Sequence, residues 1–166
     1  MANLLQKAIA LAVKAHRDGE DPPGEPYIIH VMRVMLAVSQ ADDAHQNERL
    51  RCVAMLHDTL ERGGLTPGDL RKAGMPKDVV RAIKLLTHEE GVSYADYVVA
   101  MKRNPLAVAV KLADLLDNAD LRRVTFRPDK AKKDIPRLVR LAASYKFLTG
   151  QMSEKAYRKI MKQGES

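Results

Sequence analysis

Val53-Ala-Met-Leu-His-Asp-Thr-Leu-Glu61 decides how this chain is read. Leu50, Val53, Ala54, His57, Leu60 and Glu61 recur at helical spacing, which puts them on one face of a helix predicted over 47–62. A face that packs into a core does not carry a histidine, an aspartate and a glutamate unless something neutralises them. Unpaired buried charge costs several kcal/mol, on the order of the whole stability of a small domain. A divalent cation is one such partner, because it takes imidazole nitrogen and carboxylate oxygen together. The pair His57–Asp58 therefore directs the search to ligands on other helices.

The 166 residues, 46% of them hydrophobic, suit one globular domain spanning 1–166 with a sizeable core. With no Trp and only two Phe, that core must be Leu, Val, Ala, Ile and Met, a mixture that favours helices. No segment alternates with period two, so strands are not expected. Apolar stripes and capping residues divide the chain into helices over about 2–18, 26–40, 47–62, 67–73, 76–91, 94–103, from 105, 134–149 and 153–163. Asn47, Thr66, Ser93 and Asn104 are the expected N-caps, and Gly63-Gly64 the expected stop. The fold class is all-α, a bundle of about eight helices.

No apolar run reaches membrane-spanning length and no secretory leader pattern opens the chain, so a cytoplasmic location is expected. Cys52 is the single cysteine and excludes an internal disulfide. The net charge is +7, densest in Arg122, Arg123, Arg127, Lys130, Lys132, Lys133, Arg137 and Arg140. Aromatic residues do not interleave with these, which argues against a stacking platform for nucleic acid; a solvated face or a polyanionic small substrate remains.

The stretch Leu106–Leu116 is apolar all round except for Lys111 and Asp114, the pattern of a central helix. Lys111, Asp114 and Asn118 share one of its faces and Asp117 flanks it. His30 lies among Ile28, Ile29, Val31 and Val34, and His16 closes the apolar stripe of the first helix. Each taken alone reads as a satisfied core group, and Lys111 with Asp114 as an internal ion pair. Taken together, His30, His57, Asp58 and Asp114 supply two imidazoles and two carboxylates from three helices. That set suits a six-coordinate cation with water positions open: Mn²⁺ or Fe²⁺, with Co²⁺, Ni²⁺ or Zn²⁺ as alternatives. Such an ion acidifies water, and Glu61 is placed to orient or deprotonate it. Lys111 and nearby arginines would hold phosphate oxygens, and Asn118 would donate a hydrogen bond.

The segments His16, then Gly24-Glu-Pro-Tyr-Ile-Ile-His30, then Ala54-Met-Leu-His-Asp-Thr-Leu-Glu61, then Val110-Lys-Leu-Ala-Asp-Leu-Leu-Asp-Asn118 occur in the order of the HD metal-dependent phosphohydrolase superfamily. They resemble the hydrolase domain of the Rel/Spo alarmone enzymes and their small single-domain relatives, over roughly residues 4–150. The resemblance implies an all-helical HD-domain bundle, a Mn²⁺ site and hydrolysis of the 3′-pyrophosphate of guanosine tetra- and pentaphosphate. It makes His30, His57, Asp58 and Asp114 the metal ligands, Glu61 the water-orienting acid and Asn118 a substrate-side residue. Tyr27, His16 and Lys111 join Asn118 as substrate-binding candidates, and Arg62 joins Glu61 at the reacting centre.

Two departures stand out. The family carries a second acid where this chain has Arg62. Its guanine-contacting Arg-Lys pair falls on Asp21 and Pro22, and neither can replace a guanidinium. The expected function is a metal-dependent phosphohydrolase acting on a phosphorylated nucleotide. A non-catalytic nucleotide- or RNA-binding module is the alternative that Arg62 motivates, and a homodimer is left open.

Overall fold

The computed structural model describes residues 3–21, 24–38, 44–122 and 128–163, with only the backbone of 44–46. Pro22, Arg123 and Arg127 lie outside them, as does the side chain of His45. The described residues form nine α-helices and no strand: α1 Leu4–Ala15, α2 Tyr27–Ala37, α3 Ala44–Leu56, α4 Pro67–Lys72, α5 Lys77–Leu86, α6 Tyr94–Met101, α7 Pro105–Asn118, α8 Ala131–Leu148 and α9 Glu154–Gln163. One isolated bridge joins Glu20 to Pro26 in the turn before α2.

Capping chemistry sets several starts. Asn3 accepts from the Gln6 N–H while the Gln6 side chain returns to the Asn3 N–H, closing α1 reciprocally. Thr66 and Asp69 do the same for α4, and the Asn104 side chain caps α7 ahead of Pro105. Asn47 is not a cap: α3 has already begun at Ala44. Residue 134 lies inside α8, which starts at Ala131 and carries Pro136 in its interior.

The helices α3 and α7 are the hubs. α3 packs on α1, α2, α5 and α7, and α7 on α2, α3, α5 and α8. Both faces of α7 are apolar, so it sits inside the bundle with Ala107, Val110, Ala113 and Leu115 buried. α8 and α9 close the far side, where the rings of Phe147 and Tyr157 stack at 4.7 Å. Cys52 is buried in the core, which pushes its thiol up to about 12.

The largest difference from the helix predicted over 47–62 is its end. α3 stops at Leu56, and residues 57–62 form turns. The Thr59 N–H and hydroxyl both bond to the Leu56 carbonyl, at 3.1 and 2.7 Å, which tightens the chain out of helical register. Gly63 then lets the turn press on α1: a Cβ there would lie 2.6 Å from the Ala15 Cβ and 2.8 Å from the Thr59 carbonyl oxygen. Gly64 follows with φ 65°, a left-handed conformation suited to glycine.

Candidate metal centre

The break after Leu56 orients His57. Its Nδ1 lies 2.7 Å from the Ala54 carbonyl oxygen. A carbonyl only accepts, so Nδ1 carries the proton and the lone pair of the neutral ring is on Nε2. That Nε2 is buried and makes no hydrogen bond, although Asp58 Oδ2 is 3.3 Å away and Asp114 Oδ1 4.0 Å. A buried ring nitrogen left without a donor is what a cation would satisfy.

The other groups come from α2 and α7. His30 Nε2 is 3.4 Å from Asp114 Oδ1, and the ligand atoms of His30, His57 and Asp114 all lie within 4.8 Å of one another, each residue buried. Asp58 stands at the edge of this group, 17% exposed on its side chain, and accepts the hydroxyl proton of Tyr27. Nitrogen and carboxylate donors in this mixture fit a divalent cation of intermediate softness, with His30, His57, Asp58 and Asp114 as the residues that would hold it.

Electrostatics around Asp114 are strong. Burial alone would raise its pKa, but Lys111, His30 and His57 outweigh that and hold it far below the usual carboxylate range. Burial likewise pulls His30 down, while hydrogen bonds to Asp114 and Asp117 prevail and raise it to about 9. Asp117 was seen in the sequence only as a flanking acid. Its Oδ2 takes the Nδ1–H of His30 at 2.7 Å and its Oδ1 the Nε–H of Arg33 at 2.7 Å. Its position three residues past Asp114, with Arg33 three past His30, was the available signal.

Known proteins share both the sequence pattern and the fold. The chain is 30% identical over 139 residues to a guanosine-3′,5′-bis(diphosphate) 3′-pyrophosphohydrolase of Aquifex aeolicus, covering 80% of this chain and 19% of that one. It is 27% identical over 137 residues to a GTP pyrophosphokinase of Streptomyces antibioticus, covering 78% and 16%. A solved structure described as a metazoan ortholog of SpoT that hydrolyzes ppGpp superposes with a TM-score of 0.69 at 22% identity, over 98% of this chain and 97% of that one. The chain is similar to the Rel/Spo hydrolases in sequence pattern and shares the fold of the metazoan structure. It spans less than a fifth of the length of the curated relatives it matches, 19% and 16%. The likeness to the metazoan structure shows the shared fold, and no protein-family model matches the chain.

The remaining candidates of this chain fall at the centre or at its rim. Lys111 is nearly buried and directed inward: its ammonium donates to Asp114 Oδ2 at 2.9 Å and lies 5.4 Å from the Tyr97 ring centroid. Asn118 donates to Asp114 Oδ1 at 2.6 Å, while its own Oδ1 accepts from Arg137 at 3.2 Å. Glu61 is exposed and does not share the buried face. Its Oε2 accepts the His88 backbone N–H at 3.1 Å. His88, a residue with no role in the sequence reading, thus fixes one oxygen of that carboxylate.

Arg62 lies over the Tyr27 ring, 5.0 Å from its centroid. His16 packs on the same Tyr27 ring, 5.0 Å between centroids, and burial lowers its pKa below the ordinary imidazole value. Together Lys14, His16, Arg17, Tyr27 and Arg62 line an open cavity of about 450 Å³, along with Asp18 and Glu20. Asp21 is buried, accepts the Glu25 N–H at 2.9 Å and faces Arg33 at 3.5 Å.

Proposed function

We propose that this chain is an HD-type, cytoplasmic, metal-dependent phosphohydrolase acting on a phosphorylated nucleotide, with guanosine 3′,5′-bis(diphosphate) as leading substrate and its 3′-pyrophosphate as the group released. The observation that carries this reading is the buried His30–His57–Asp114 group with the unpartnered Nε2 of His57. The curated relative from Aquifex aeolicus supports the substrate class. A divalent cation, Mn²⁺ foremost, held by His30, His57, Asp58 and Asp114 would supply Lewis acidity toward phosphate and water.

The residues of the chain divide the rest of the work. Glu61, steadied by the His88 N–H, takes a proton from water as the water oxygen forms a bond to the inner phosphorus of the 3′-diphosphate and that phosphorus loses its bond to the ribose 3′ oxygen, releasing pyrophosphate. The leaving 3′ oxygen is protonated from solvent. Arg62, held over Tyr27, contacts a phosphate oxygen on the open side, His16 and Tyr27 line the wall that faces the substrate, and Lys111 and Asn118 act through Asp114, to which both donate. Asp21 is turned inward to Arg33, so no guanidinium reads a base at that position. Discrimination between guanine and adenine should therefore be weak.

The test is a nucleotide panel assayed with Mn²⁺ for phosphate and pyrophosphate release. Pyrophosphate from guanosine tetraphosphate, abolished in His57→Ala and Asp58→Ala together with bound metal, supports the reading. Undiminished turnover without any divalent cation overturns it. The exposed Arg62 favours one second reading, a binding module for anionic nucleotides or RNA; metal uptake with no turnover across the panel would select that one.

A further inference from the structure

Asp117 has no part in the reaction described above, yet it is bonded directly to His30 of the centre. Its side chain is 10% exposed and accepts from two side chains of α2 at once: the imidazole of His30, and the guanidinium of Arg33 one turn further along. A carboxylate that accepts from Nδ1 sets the tautomer of His30, because only Nδ1–H can donate there. Nε2 is then the nitrogen directed at Asp114, 3.4 Å away. The two histidines of the centre are thus held differently. His57 donates to a neutral backbone carbonyl, His30 to a charged acid. A charged acceptor makes an imidazole the stronger donor to a cation.

Arg33 extends the arrangement outward. Besides Asp117 it meets Glu25 Oε2 at 3.2 Å and Asp21 Oδ2 at 3.5 Å. Both acids belong to the turn that enters α2, and Asp21 holds Glu25 through its backbone N–H. An exposed Arg–Asp pair by itself contributes little. Here the guanidinium has three carboxylates around it, and one of them is shared with a buried ring.

We propose that Asp117 is a positioning residue for His30, braced by Arg33, and that it sets the affinity of the centre for its divalent cation. This rests on the cation reading above. The purified full chain is titrated with Mn²⁺ alone against a competing chelator, as wild type, Asp117→Ala, Asp117→Asn and Arg33→Gln. Asp117→Ala should bind Mn²⁺ about 10–100-fold more weakly. Asp117→Asn keeps an oxygen that accepts from Nδ1 and should recover much of that loss. Arg33→Gln should weaken binding by a few-fold.

The unfolding midpoint of each metal-free variant separates a positioning role from a structural one, and the near-isosteric Asn variant serves if the Ala variant does not fold. In ¹⁵N-histidine spectra of the Zn²⁺-loaded protein, His30 should carry its proton on Nδ1, and that proton should exchange faster in Asp117→Ala. Wild type that binds Mn²⁺ while folded Asp117→Ala binds it within twofold overturns this inference and leaves the proposed function standing. Equal losses in the Ala and Asn variants overturn the hydrogen-bonding role. Wild type that takes up no Mn²⁺ overturns both.

Discussion

The ligand cluster and its rim obey different rules. His30, His57 and Asp114 are all buried, and each is held by at least one short contact to protein: Asp117, the Ala54 carbonyl, Lys111. Glu61 and Arg62 follow only three and four residues after Asp58, yet both are exposed, one accepting from the His88 backbone and the other lying over Tyr27. Inside, a polar atom without a protein partner is costly unless an ion satisfies it, as at the Nε2 of His57, so ligand types survive in a recognisable pattern. Outside, water satisfies what protein does not, and side chains can change identity. That is where this chain departs from the Rel/Spo pattern at Arg62; the other departure, Asp21, is buried and faces Arg33.

Four substitutions probe the contrast. Asp114→Ala should have the largest effect, removing a ligand and leaving the nearly buried Lys111 ammonium without its carboxylate. A loss of about 3–5 kcal/mol is expected in urea unfolding of the metal-free protein. If the loss stays below 1 kcal/mol, the inside of the site is as tolerant as its edge and the contrast fails.

Glu61→Gln comes next. Turnover of the best substrate should fall by about 10²–10⁴-fold with Mn²⁺ affinity unchanged, as expected for a general base outside the ligand set. A matching loss of metal would move Glu61 inside. Gly63→Ala tests the turn that ends α3, because the added methyl meets Ala15 and the Thr59 carbonyl. Its expected cost is about 1–3 kcal/mol in thermal or urea unfolding. Arg62→Ala should be the mildest: KM rises by about tenfold, the size of one charge-assisted hydrogen bond, while kcat and melting temperature hold. A fall in kcat at constant KM would give Arg62 a role at the reacting atoms instead.

Helix faces were legible because periodicity is a local property. The apolar surround of α7 announced a central helix, and the expected caps Thr66, Ser93 and Asn104 open α4, α6 and α7. Three of the four expected ligands meet in one buried group, with Asp58 at its edge. The end of α3 was not legible. A stripe through Leu60 and Glu61 continues the helical spacing, but the Thr59 bonds to Leu56 and the contact of Gly63 with Ala15 stop the helix at Leu56.

The sequence by itself determined that the chain is a bundle of amphipathic helices and which of them carry imidazoles and carboxylates, because residue type and spacing act within one turn. Only the tertiary structure decided that Asp117 of α7 meets His30 of α2, and that Asp21 of the turn before α2 meets Arg33. Those pairings depend on how one helix is rotated and shifted against another, and no spacing along a single helix encodes that.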